Sequence, residues 1–177
     1  MRTESPDPIA DPAGYQQHLL GLLGGDDPGD VQSQTPASVR ALLEIAGADV
    51  SVPPEPTEWS VVQCIAHITD AEIVVSGRYR WILSHDRPPL MGYDQDRWVD
   101  ELHRPPGSPE ELLALFEPLR AANVALWYRT PDDRKDRVGI HAERGPESYE
   151  LTFRLIAGHD RFHLAQAERA LGAVRGT

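Results

Sequence analysis

One cysteine, Cys64, stands among the 177 residues, which excludes an internal disulfide and a zinc cluster built on several thiolates. Cations are scarce beside acids: 17 Lys and Arg face 28 Asp and Glu, giving a formal net charge of −11. That balance argues against a nucleic-acid phosphate or an anionic membrane as the main partner. No apolar run reaches membrane-spanning length. The opening residues, Met-Arg-Thr-Glu-Ser-Pro-Asp-Pro, lack the basic-then-apolar order of a signal peptide, so a cytoplasmic location is expected. No apolar–polar alternation is long enough to predict a strand, and no internal repeat occurs. What is present, 40% hydrophobic and 25% charged residues, suits a globular chain of one domain with a substantial core.

Helical periodicity organises that chain. Residues 1–12 carry three prolines and read as a flexible N-terminal tail. A short helix is predicted over Ala13–Leu23, stopped by Gly24-Gly25, and residues 24–34 read as loop. Thr35-Pro36 offers an N-cap and a first-turn proline for a second helix ending at Gly47. Ser60 with Gln63 resembles a capping box opening a long helix from Trp59 to Leu83. A short helix is read over Asp94–Leu102. Ser108-Pro109-Glu110-Glu111 starts another, in which Pro118 could introduce a kink. Residues 131–147 read as a long loop, and a last helix runs from Ser148 to Leu171 with Gly172 as its stop. The expected architecture is all-α, a four-helix bundle with additional short helices.

His159 and His163 are the pair that calls for explanation. At i, i+4 on a helix they lie about 40° apart around the axis and about 6 Å apart along it. They continue the stripe of Leu151 and Leu155, so they face the core, where unpartnered imidazoles are costly. His67 sits among Cys64, Ile65, Ala66, Ala71 and Val74 on the long helix. Three inward imidazoles on two packed helices could hold one divalent metal, with other positions open to water or substrate. A single histidine on an apolar face is, by itself, more often a hydrogen-bonded core residue.

The stretch from Trp59 through Cys64, His67, Asp70 and Glu72, followed later by Gly158-His159-Asp-Arg-Phe-His163-Leu-Ala-Gln166, resembles the DinB-like (DinB/YfiT) metal-binding superfamily, in particular its DinB_2 branch. Tyr93–Trp98 and His141–Gly145 resemble it too, and the match spans roughly residues 36–172. The resemblance implies a single DinB-like bundle domain over residues 13–177. It also implies His67, His159 and His163 as metal ligands, and a homodimer.

Neighbouring residues carry two readings each. Asp70 could fix the tautomer of His67, or it could be a solvated carboxylate. Asn123 could line the cavity, although a hydrogen bond within the core is favoured. Cys64 reads as an inert buried thiol. His18, His85, His103 and His141 are expected at the surface, and Glu72 and Asp160 in salt bridges.

A three-histidine metal lowers the pKa of bound water or thiol. The resemblance favours a metal-dependent transferase for detoxification or stress response, which activates a low-molecular-weight thiol against an electrophilic small-molecule substrate. A metal-dependent hydrolase and a non-enzymatic metal- or ligand-binding protein are the alternatives. Zinc or nickel leads as the divalent cofactor, with iron or manganese behind. Catalytic residues are not identified.

Overall fold

Four long helices frame the protein, whose computed structural model describes Pro6 and residues 10–176. They are α2 (Pro28–Ala46), α3 (Val61–Ser84), α5 (Pro109–Arg129) and α7 (Tyr149–Arg175). Shorter elements fill the connections: α1 (Pro12–Leu23), α4 (Gln95–Leu102), α6 (Asp132–Lys135) and a 3₁₀ turn at Gly47–Asp49. α7 packs on α1, α2 and α3, while α5 packs on α2 and α3. The protein is thus an all-α four-helix bundle with additional short helices, and α5 and α7 stand diagonally across it. No described helix is long and apolar enough to cross a membrane.

Local signals explain most boundaries. Ser60 N–H and hydroxyl both donate to Gln63 Oε1, closing the start of α3. Ser108 and Glu111 make the reciprocal capping bonds of α5, which runs through Pro118 unbroken. The expected tail at residues 1–12 falls largely outside the described residues; Asp11 caps α1 by accepting from Gly14 N–H.

Three expectations need correction. α2 begins at Pro28, not Thr35, because Asp27 accepts from Gly29 and Asp30 N–H and Pro28 takes the first helical position. Pro36 therefore lies inside the helix and cannot bond the Gln32 carbonyl; the Arg120 guanidinium donates to that oxygen instead, at 3.4 Å. α7 continues past Gly172 and ends where Gly176 adopts the left-handed conformation at φ 70°. The supposed loop 131–147 contains α6 and two strands. β2 (Val138–His141) pairs parallel with β1 (Pro89–Leu90) and antiparallel with β3 (Gly145–Ser148). Strands of two to four residues are too short to show alternation in sequence. Arg134 and Arg137 moor this small sheet by donating to the Leu83, Ile82 and His85 carbonyls at the end of α3.

Two apolar clusters divide the interior. One gathers Val39, Leu42, Ile65, Phe116 and Leu171; the other gathers Val75, Tyr79, Trp127, Tyr149 and Phe153. Trp127 and Phe153 stack at 4.3 Å between centroids. Between them lies a polar layer. There Arg120 bridges Asp160 and Glu72, with Glu72 Oε2 at 2.8 Å, and Thr35 donates to Asp160. Asn123 donates to Glu72 and Ser76, so it bonds within the core. The salt bridges expected of Glu72 and Asp160 do form, and both lie buried.

Candidate metal centre and adjoining cavity

α3 and α7 bring His67, His159 and His163 together at the edge of this polar layer. All three are buried, and their candidate ligand atoms lie within 4.8 Å of one another. His67 Nε2 is 2.9 Å from His159 Nε2. Nitrogens about 2.0–2.1 Å from one ion, at angles of about 90–110°, stand about 2.8–3.4 Å apart. The closest pair therefore fits a shared cation.

Burial lowers the pKa of each ring, well below the usual value for His67 and His159 and to about 4 for His163. The imidazoles are thus neutral near pH 7, the form that binds metal. His163 Nδ1 donates to Gln166 Oε1 at 2.8 Å, which leaves Nε2 with its lone pair free. Nδ1 of His67 and of His159 are buried without partners. Trp59 stacks over His163 at 6.0 Å and lies 5.1 Å from His67, covering the cluster.

The neighbouring residues fall out differently from expectation. Asp70 does not reach His67: its Oδ2 pairs with His103 Nε2 at 2.9 Å. The partner arrives from the end of α4, a contact that helical spacing within α3 cannot reveal. His103 is accordingly half-buried rather than free at the surface. His141 is also buried, on β2. His18 is half-buried edge-on to Phe162, and only His85 is exposed as expected. Cys64 lies in the first apolar cluster, and burial pushes its thiol up to about 12.

A cavity of about 180 Å³ opens beside His159. α1 contributes Tyr15, Gln16 and Leu19; α3 contributes Ala71, Val75 and Arg78; the β2–β3 turn contributes His141 and Arg144. Tyr93 and Asp94 close another side, so residues of both further segments that resembled the family line this space. Gly158 makes the α1 wall fit: a Cβ there would lie 2.0 Å from the Leu19 carbonyl oxygen. Arg78 and Glu147 are not legible in the sequence as neighbours of the site, since the β2–β3 hairpin lies in what reads as a loop.

Comparison with known proteins agrees with this construction. A curated relative from Oceanobacillus iheyensis, named as a candidate metal-dependent hydrolase, is 25% identical over 120 residues, covering 67% of this chain and 68% of its own. YfiT of Bacillus subtilis, named likewise, is 24% identical over 138 residues, covering 76% and 77%. The solved structure of YfiT, described as a candidate metal-dependent hydrolase of unusual four-helix-bundle topology, superposes with a TM-score of 0.75 at 20% identity. That superposition covers 93% of this chain and 89% of YfiT. The DinB_2 family model matches residues 33–167, and the chain belongs to the DinB superfamily.

Proposed function

We propose that this protein is a metal-dependent hydrolase in which His67, His159 and His163 hold one divalent ion beside the cavity. The observation that carries the reading is the convergence of three buried, neutral imidazoles, two of them 2.9 Å apart at Nε2. The hydrolase names of the relatives supply the reaction class. A bound divalent ion would supply Lewis acidity and bring the pKa of a water toward neutrality. Zinc or nickel suits an all-nitrogen donor set.

The chain's own residues prepare that chemistry. Gln166 orients the His163 ring, and Trp59 keeps water from its face. His159 belongs both to the cluster and to the cavity wall, so a small molecule in the cavity would lie against one of the three rings that would hold the ion. Cys64 is no nucleophile for such a molecule, because it is buried in the apolar core with a thiol pKa near 12. A thiol transferase would therefore need its thiol from a separate molecule, and both curated relatives named above are hydrolases by name.

Metal analysis combined with an ester and amide panel tests the proposal. The wild type is expected to hold one equivalent of divalent metal and to turn over without thiol, and His67→Ala to lose both. Turnover only with mycothiol, bacillithiol or glutathione would replace the hydrolase by the transferase. Stoichiometric metal in His67→Ala would break the three-histidine centre.

A further inference from the structure

Arg78 is 5% exposed, yet no carboxylate among the described residues lies within 4.0 Å of its guanidinium. Among the described residues its one hydrogen bond goes to the Met91 carbonyl at 2.5 Å, and its Nε is buried without a partner. A buried cation so placed is costly unless something neutralises it. Arg144, on the same wall, is already matched by Glu147, which grips it through both carboxylate oxygens and also accepts from Gln16. Arg78 thus has no carboxylate in contact among the described residues, and the Glu147 charge reaches it only from beyond that distance.

A second donor beside it also lacks an acceptor. His141 Nδ1 accepts the backbone N–H groups of Glu143 and Arg144 at 3.2 and 3.3 Å. The ring proton of the neutral imidazole therefore sits on Nε2, which is buried and unpartnered. Burial, with Arg144 and Arg78 nearby, lowers the His141 pKa to about 4, so this neutral donor persists near pH 7. The acids of the wall, Asp94, Asp96 and Glu143, are exposed and screened by water.

Spacing sets the length of what would fit. His67, Ala71, Val75 and Arg78 follow i, i+4, i+8 and i+11 along one face of α3, about 16 Å from end to end. Of the cluster, His159 lines the cavity, and Arg78 lies eleven residues along α3 from His67. We propose that Arg78 and His141 form a carboxylate-binding subsite, which selects small substrates bearing a free carboxylate at the end remote from the group presented to the histidine cluster. One unmatched positive charge with two orphaned donors suits a monoanion with a planar, two-oxygen head. The substrate part of this inference rests on the hydrolase reading; the binding part does not.

Titration calorimetry on metal-free, full-length protein tests it, with N-acetyl-β-alanine and its neutral carboxamide as probes. The acid is expected to bind at least tenfold more tightly than the carboxamide. Arg78→Met should lose at least tenfold in acid affinity, and Arg78→Lys should keep part of it, with folding checked by circular dichroism. Equal binding of acid and carboxamide by the wild type would overturn the proposal without any variant. So would absent acid binding, undiminished acid binding by folded Arg78→Met, or tighter binding of inorganic phosphate. Ester turnover by metal-loaded protein with no preference for a carboxylate would overturn the subsite and leave the hydrolase standing. Carboxylate binding without turnover of any ester or amide would do the reverse.

Discussion

Arg120 and Arg78 are both buried arginines of the same bundle, and they differ in what surrounds them. Arg120 faces Glu72 and Asp160, with every carboxylate contact within 3.1 Å, and joins four helices through Asp160, Glu72 and the Gln32 carbonyl. Burial alone would lower its pKa, yet the two carboxylates override that and hold it charged. Arg78 has one carbonyl, and its pKa falls through burial and the charge of Arg144. The histidine cluster resembles Arg78 in this respect, with two orphaned Nδ1 atoms. Arg120 and its two carboxylates hold helices together, whereas Arg78 has no such carboxylate pair among the described residues.

The sharpest way to break that contrast is Arg120→Met. It leaves two carboxylates buried without their cation, and a loss of about 3–5 kcal/mol in denaturant unfolding is expected. Removal of the Arg78 charge should destabilise far less, so equal losses would abolish the distinction.

Acid should act next most strongly, and on the histidine side. The His163 pKa is about 4 in the folded chain, against 6.5 as its ordinary value. The unfolded chain therefore takes up protons that the native one refuses, and stability falls as pH drops from about 6.5 toward 4. For His163 alone the full shift is worth about 3 kcal/mol. Urea midpoints of chelator-treated protein across that range check it, and a midpoint flat with pH would contradict the burial of neutral rings.

Gln166→Leu removes the hydrogen bond that orients His163 while leaving all three rings. Metal affinity should fall by about 10–100-fold, measured by chelator competition, with little change in the fold. Cys64→Ala should do least: about 1 kcal/mol of stability is lost, and metal content is unchanged. A change in metal content would bring Cys64 back toward the site.

Much of the frame was legible because helix ends are local. Ser60 with Gln63, Ser108 with Glu111, and Gly47 each act within a few residues. Thr35-Pro36 read as a helix start and residues 24–34 as loop, whereas Asp27-Pro28 opens α2 and Arg120, distant in sequence, meets the carbonyl that Pro36 leaves free. Gly172 likewise read as the stop of α7, which Gly176 ends instead. The phase of Leu151, Leu155, His159 and His163 correctly turned both histidines inward, since a regular helix carries that information. Helical spacing offers Asp70 either His67 or solvent, whereas its partner, His103, comes from the end of another helix. The cavity chemistry stayed hidden because Arg78, His141, Arg144 and Glu147 meet only through strand pairing.

The close seat of α1 on Gly158 bears on how such a protein can be altered. Tyr15, Gln16 and Leu19 form one wall of the cavity, yet they precede residue 33, where the family match begins. His67, His159 and His163 all fall inside that match. The seam at Gly158 thus divides the molecule into an interchangeable sleeve and a fixed socket. Grafting a different first helix against the same glycine would recut the cavity while leaving the three histidines in place.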